Sequence, residues 1–223
     1  MIEIKNLNKI YLKGKKNMVH ALNNINLKID DRETVAIIGE SGAGKSTLLH
    51  IMSCIDNFDG EYYLDNIDIN KLSESKKSKL RSSKIGIVLQ DFALIDDFTV
   101  FENVMTPLYF NKKIKDKKGS VMRALNKTGI ASLKAKKVSQ LSGGQKQRVA
   151  ISRALVTSPE YIFADEPTGS LDSKTSDEII KMLFELNSNG ITIVIVTHNL
   201  DIANKCQRVI EIKDGNIIED NCS

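Results

Sequence analysis

Long apolar runs are missing from this chain. The longest are strand-sized, such as Ile191 to Val196, whereas a helix that crosses a bilayer needs about 20 apolar residues. Any contact with a membrane is therefore expected to come through a partner. Nothing in the sequence resembles a leader. Met1-Ile2-Glu3-Ile4-Lys5 alternates apolar and charged residues as a half-buried strand does, which predicts an intracellular, cytoplasmic chain. Cysteine is scarce. Cys54, Cys206 and Cys222 are odd in number, far apart and without metal-ligand spacing, which argues for buried or incidental thiols in a reducing compartment. There is no internal repeat and no low-complexity linker. Excess charge is small, a net +4, and gathers in two clusters, Lys76-Lys77-Ser78-Lys79-Leu80-Arg81 and Lys112-Lys113-Ile114-Lys115-Asp116-Lys117-Lys118. Aromatic residues are sparse within both, so a solvated face is expected rather than a nucleic-acid groove, with proximity to anionic lipid headgroups as a third reading.

What is present has the ordinary balance of a folded soluble domain, 41% hydrophobic and 27% charged residues. A length of 223 residues suits one sizeable α/β core with an inserted subdomain, or at most two small domains. The most specific stretch is Gly39-Glu40-Ser41-Gly42-Ala43-Gly44-Lys45-Ser46-Thr47. It follows the apolar run Val35 to Ile38 and precedes Leu48 to Met52, the order strand, glycine-rich turn, helix that a phosphate-binding loop requires. The glycines let successive backbone N–H groups point inward at an anion, and the helix beginning near Gly44 adds the positive end of its dipole. Lys45 suits the β- and γ-phosphates and the Ser46 hydroxyl suits Mg²⁺. These residues predict a nucleotide-binding protein.

Strand and helix signals alternate along the rest. Strands are expected at 2–7, 22–29, 34–38, 61–64, 85–89, 161–164, 191–196, 208–212 and 216–218, with a turn formed by Tyr11 and Gly14-Lys15-Lys16-Asn17 and another at Asp59-Gly60. Helices are expected at 72–80, 143–155, 173–186 and 200–204, and helical spacing replaces strand runs from 91 to about 140. The pattern predicts a mostly parallel sheet with helices on both faces and a helical insertion.

Phosphates bind at the carboxyl ends of strands in such sheets, where Gln90, Asp165, Glu166 and His198 are expected. Asp165 after four apolar residues suits support of Mg²⁺, Glu166 suits a general base, Gln90 offers an amide oxygen to Mg²⁺ or water, and His198 a hydrogen bond to the γ-phosphate. A second motif, Leu141-Ser142-Gly143-Gly144-Gln145, reads as a helix start in which Ser142 caps and the glycines bare the first N–H groups.

The ordered set GESGAGKST, Gln90, LSGGQ, YIFADEP, GSLD and VTH resembles the nucleotide-binding subunit of ABC transporters across nearly the whole chain. LSGGQ is the feature that separates this family from other phosphate-loop NTPases. The resemblance implies a P-loop NTPase (RecA-like) core with an N-terminal antiparallel β subdomain, formed by 1–90 and 141–223, and a helical subdomain at 91–140. It implies that Tyr11 stacks on adenine and that Asp172 of the GSLD loop lies at a dimer interface. It also implies a head-to-tail homodimer with each ATP between one chain's phosphate loop and the other's Ser142, Gly143, Gly144 and Gln145. Within the family, Ile51 to Asp56, Glu102-Asn103-Val104 and Asp165 to Thr175 are similar to the macrolide-exporter and lipoprotein-release subgroup. There Leu89 stands where Phe is commoner, Ile95-Asp96 where Leu-Pro is usual, and Asn199 where Asp is commoner.

The expected function is an ATP-hydrolysing subunit of a membrane export or extraction complex, with an integral membrane permease as partner, closed by ATP and reopened by hydrolysis. A soluble relative acting on DNA or ribosomes would carry two cassettes or a long coiled-coil insertion, and a non-hydrolysing sensor would lack Glu166. The apolar residues Phe92, Leu94, Ile95, Phe98, Phe101 and Leu108, beyond Gln90, are expected in part to form a groove for a short cytoplasmic helix of that permease.

Overall fold

The computed structural model describes residues 1–12, 14–15 and 17–222; Lys16 of the expected turn and the side chain of Cys222 lie outside the described residues. Ten strands, seven α-helices and several single-turn 3₁₀ segments are described, and the strands form two sheets. The larger sheet has six strands in the order β10-β9-β3-β8-β7-β6. These are β3 (Thr34–Ile38), β6 (Ile85–Val88), β7 (Tyr161–Asp165), β8 (Thr192–Val196), β9 (Arg208–Lys213) and β10 (Asn216–Cys222). All neighbours are parallel except β10 with β9. The smaller sheet is antiparallel, β2-β1-β4-β5, from β1 (Ile2–Tyr11), β2 (Val19–Ile29), β4 (Asp59–Leu64) and β5 (Ile67–Asp68).

Side chains of a strand point alternately to opposite faces, and here that alternation divides the interior in two. Val35, Ile37, Phe163, Val194 and Val196 face one way, onto Leu48 and Leu49 of α1 (Lys45–Met52) and onto the antiparallel sheet. Ala36, Ile162, Ala164, Ile193 and Ile195 face the other way, onto the remaining helices. These are α3 (Val100–Phe110), α4 (Lys117–Lys127), α5 (Gly143–Leu155) and α6 (Ser173–Ser188). The apolar residues of α3 and α4, such as Val104, Leu108, Val121 and Leu125, share that second core. Helix α5 connects them to the sheet, and its approach is close: a Cβ at Gly86 would stand 2.8 Å from the Ala154 carbonyl oxygen. The remaining helices are α2 (Glu74–Lys84) and the short α7 (Leu200–Ala203). No helix among the described residues is long and apolar enough to cross a membrane.

Several boundaries differ from the sequence reading. Strand β1 continues past Leu7 to Tyr11, because its register with β2 shifts between Ile4 and Ile10 and the apolar alternation breaks there. Asparagines fill the irregularity: Asn6 and Asn24 are left-handed, and their N–H groups donate to Asn26 Oδ1 and Asn8 Oδ1. Asp59-Gly60 is strand rather than turn, with Asp59 opposite Asn8. Helix α2 runs to Lys84, beyond the expected Leu80. Strand β10 runs on to Cys222, although its outer residues are polar and carry no periodic signal. Cys54 and Cys206 are buried, and burial pushes their thiols up, to about 11 and about 12.

Candidate functional site

The glycine-rich loop leaves the carboxyl end of β3 and feeds α1. Gly39 has a φ of 143° and Gly44 one of 105°. A Cβ at Gly39 would collide with the Ile212 carbonyl, and one at Gly44 with the Ala21 carbonyl. Gly44 is the N-cap of α1 and supplies no capping side chain, so the first N–H groups of this helix remain available to an anion. The Lys45 ammonium donates to the carbonyl oxygens of Gly39 and Glu40, each at 2.8 Å. It therefore lies folded over the loop.

Parallel pairing brings the other candidates to the same edge. Asp165 ends β7 opposite Val196 of β8, and Val196 lies opposite Ile37 of β3. Burial raises the Asp165 carboxyl above its ordinary range; the nearby Ser46 hydroxyl and the charges of His50 and Lys45 oppose the rise, while neighbouring Glu166 adds to it. Both contributing donors are oxygen atoms, which suits a hard divalent cation. Among the described residues no group of three or more His, Cys, Asp and Glu forms a metal site. The fit is therefore to an ion that brings further oxygen ligands from phosphate and water, as Mg²⁺ does.

Glu166 takes a left-handed backbone, φ 44°, with its N–H donating to Val196 O at 2.9 Å. Its carboxylate is held on both sides, by His198 Nδ1 at 2.7 Å on Oε1 and by the Thr197 hydroxyl at 3.4 Å on Oε2. An ionised Glu166 has no proton to give, so Nδ1 donates and Nε2 is left free to face a ligand. The His198 side chain is 73% exposed against 13% for Glu166, so the imidazole is the outer member of the pair. Gln90 lies just past β6, near the same residues: a Cβ at Gly169 would stand 3.6 Å from Gln90 Nε2 and 3.6 Å from Glu166 Cβ. Glu166, His198 and Thr197 border a hollow of about 570 Å³ that Gly169, Leu171 and Asp177 also line.

The LSGGQ stretch is a capped helix start. Ser142 Oγ accepts from Gln145 N, and Gln145 Oε1 accepts from Ser142 N. Gly143 and Gly144 face the GSLD loop and the start of α6: a Cβ at Gly143 would stand 3.3 Å from Leu171, and one at Gly144 2.5 Å from Thr175 Cγ2. Asp172 in turn caps α6, accepting from Thr175 N at 3.0 Å and from its hydroxyl at 2.6 Å. These bonds hold the Asp172 carboxyl below its ordinary range, the Thr175 hydroxyl most of all. Ser142 is exposed and Gln145 half-buried, and no hydrogen bond or ion pair among the described residues ties them to the phosphate loop. Tyr11 is the last residue of β1 rather than part of the following turn. Its hydroxyl donates to Asp56 Oδ2 at 2.7 Å and Lys9 Nζ lies 4.7 Å from its ring.

Two participants escaped the sequence reading. Thr197 orients Glu166, as described. Arg153 of α5 donates to the carbonyl oxygens of Phe92, at 2.8 Å, and Ala93. Both acceptors are left-handed, φ 61° and 46°, so a largely buried guanidinium pins the irregular turn just after Gln90. The available signal was a charged residue within the run Val149-Ala150-Ile151-Ser152-Arg153-Ala154-Leu155.

A family model described as "ABC transporter" matches residues 22–169. The chain is 44% identical over 222 residues to the macrolide export ATP-binding/permease protein MacB of Mannheimia succiniciproducens, covering 99% of this chain and 34% of that protein. It thus spans about a third of the MacB length. It is 43% identical over 222 residues to the uncharacterized ABC transporter ATP-binding protein YvrO of Bacillus subtilis, covering 99% of this chain and 96% of that one. Among solved structures, the dimeric post-hydrolysis state of the ATP-binding cassette MJ0796 bound to ADP and Pi superposes with a TM-score of 0.92 at 41% identity, over 100% of this chain and 98% of the other.

Proposed function

Because this chain belongs to the ABC transporter family as an ATP-binding, ATP-hydrolysing subunit, we propose that it works as a head-to-tail homodimer on the inner face of a cell membrane, powering an integral permease. In this reading ATP lies between the phosphate loop of one copy, residues Gly39 to Thr47, and Ser142 to Gln145 of the other. Tyr11 stacks on the adenine, and Asp172 lies at the junction between the copies. Lys45 leaves its loop carbonyls for the β- and γ-phosphates. Ser46, Asp165 and Gln90 supply oxygens to Mg²⁺, which neutralises phosphate charge. Glu166 takes the proton of the attacking water, and His198, oriented through Nδ1, presents Nε2 to the γ-phosphate. Two bound nucleotides close the dimer, and hydrolysis with phosphate release reopens it. MacB carries a permease in the same chain as its ATP-binding part, as its name states. By analogy the substrate here is exported or extracted and is peptide, lipid-linked or drug-like, chosen by the permease.

The observation that carries this reading is the division of the site. Lys45, Ser46, Asp165, Glu166 and His198 gather at one sheet edge, while exposed Ser142 and half-buried Gln145 sit on a helix end that makes no bond to that edge. A site divided in this way is completed by a second copy. Ser142→Arg tests it. Size exclusion and equilibrium ATP binding should report a monomer whose affinity for ATP is close to wild type, because Ser142 makes no bond to its own phosphate loop. Hydrolysis should fall to background, since the bulk of the arginine side chain keeps the helix end from closing on the partner's nucleotide. An ATP-dependent dimer with normal turnover would remove the basis for the shared site.

Of the residues expected in part to form a permease groove, Leu108 is fully buried, and Leu94 and Phe101 are partly buried against the core. Ile95 and Phe98 remain exposed. A separate apolar hollow of about 320 Å³ lies between α2, β6, α3 and α5, lined by Ile55, Ile87, Leu89, Pro107 and Phe110. It suits the short permease helix better, because Leu89 in its wall directly precedes Gln90. Ile55→Asp places a charge at an exposed position of this wall. The variant should bind ATP normally and lose co-purification with the permease; normal assembly would put the contact elsewhere.

A further inference from the structure

The two basic clusters, separate in sequence, meet in space. Lys76 and Lys79 of α2 and Lys112 and Lys113 after α3 line one hollow of about 700 Å³, with Phe110 and several serines, and no acidic side chain lines it. The two walls are tied together: Asn111 Nδ2 donates to the Ser82 carbonyl at 2.9 Å, and Asn111 Oδ1 accepts from Lys113 N at 3.1 Å. Other cations of the clusters are already engaged. Lys77 pairs with Glu74 at 3.1 Å and Arg81 donates to the Cys54 carbonyl at 2.6 Å. Lys76, Lys79, Lys112 and Lys113 are exposed and have no ion pair among the described residues. Four like charges around one hollow repel one another and destabilise the free chain unless an anion joins them.

The second observation is apolar. Tyr109 and Phe110, at the end of α3, are 64% and 70% exposed, the two most exposed large hydrophobic side chains of the described residues. Lys117 lies over the Tyr109 ring at 5.6 Å. Exposed aromatics next to unpaired lysines match a bilayer interface, where rings enter the headgroup layer and ammonium groups meet phosphodiesters. A nucleic-acid groove would stack bases on aromatics along a track, whereas here both rings sit at one end of a single helix.

We propose that this patch, Lys76, Lys79, Lys112 and Lys113 with Tyr109 and Phe110, binds the anionic phospholipid surface of a membrane. The patch adjoins the apolar hollow assigned above to the permease, sharing Ser78, Ser82 and Phe110 with it. The inference thus rests on that reading for why a membrane is within reach. Lipid contact would orient the subunit and add a weak attachment beside the permease.

The test is co-sedimentation of the purified chain with vesicles of phosphatidylglycerol and phosphatidylcholine mixed, or of phosphatidylcholine alone. Binding should require phosphatidylglycerol and weaken as salt rises. Each lysine near an anionic surface contributes about fivefold in partitioning, so Lys112→Gln with Lys113→Gln should cost about 30-fold. Lys134→Gln with Lys136→Gln is the charge-matched control. The carbonyl oxygens of Lys134 and Lys136 accept from Phe101 N and Val100 N at the opposite end of α3, and that variant should bind like wild type. Inorganic phosphate should compete no better than chloride at equal ionic strength. The lipid inference is overturned by absent binding, by equal binding to phosphatidylcholine, by an equal loss in the control, or by specific displacement with phosphate, which marks a free-anion site. If wild type ignores the vesicles while the Lys112/Lys113 variant loses its permease, the occupant is an acidic protein segment. ATP hydrolysis and ATP-dependent dimerisation, measured without lipid, test the transporter reading separately and should be unchanged in both variants.

Discussion

Glu166→Gln should leave ATP binding intact and trap the protein as an ATP-bound dimer. The substitution keeps the size of the side chain and one acceptor oxygen, so the contacts with His198 Nδ1 at 2.7 Å and the Thr197 hydroxyl at 3.4 Å can both persist in altered form. It removes the carboxylate oxygen that would accept a proton from water, and general-base assistance is worth about 10²–10⁴-fold. Turnover should fall by at least about 10²-fold, while the energy of nucleotide binding still closes the dimer and no longer has an exit through hydrolysis. Size exclusion with ATP should then move the variant from monomer to a long-lived dimer, and phosphate release should be almost absent. A variant that stays monomeric and turns over like wild type would leave Glu166 without its role. His198→Ala provides the comparison, because it frees Glu166 on one side while keeping the base. A smaller loss than that of Glu166→Gln would fit an orienting and phosphate-contacting imidazole.

Lys45→Ala should abolish hydrolysis through a different route. Its ammonium is the one side-chain cation within residues 39–47, and a preorganised donor aimed at developing phosphate charge contributes about 10²–10³-fold to turnover when deleted. Ground-state binding is expected to weaken as well, because the same cation meets the β- and γ-phosphates before reaction. Kinetics therefore separate the two variants: Glu166→Gln preserves ATP affinity and Lys45→Ala does not. The fold should survive the change. Lys45 is only partly buried and bonds two loop carbonyls, and freeing exposed carbonyls to water costs about 1 kcal/mol or less. Steady-state phosphate release within a few-fold of wild type would refute the site.

Much of this site is legible in one dimension because its chemistry depends on local chain geometry. A loop that wraps an anion needs glycines at fixed intervals between a strand and a helix, so residues 39–47 announce themselves. The same holds for Ser142 and Gln145, whose capping box spans four residues, and for Asp165, which is found by counting apolar residues in the strand before it. Strands β3 and β7 and helix α5 were placed to within a residue, since buried strands and a capped helix have sharp apolar boundaries. The joining of Gln90, Asp165, Glu166 and His198 at one edge follows from the rule that parallel strands share a carboxyl end.

Other features depend on which distant residues become neighbours, and periodicity does not encode that. The continuation of β1 to Tyr11 hangs on asparagines of β2 filling a register shift. The Arg153 strap is visible only once α5 lies against the turn at Phe92 and Ala93. Leu94, Phe101 and Leu108 look alike by composition, yet Leu108 is drawn inside and the other two lie half-buried against it, because α3, α4 and α5 share one core with the sheet. The two lysine clusters read as separate solvated stretches until Asn111 ties one to the end of α2. Nucleotide chemistry and the order of strands and helices are readable from the chain alone, since both rest on residues close together in it. Which apolar and basic residues are left to face a partner emerges only on folding, because burial is settled by packing between distant segments.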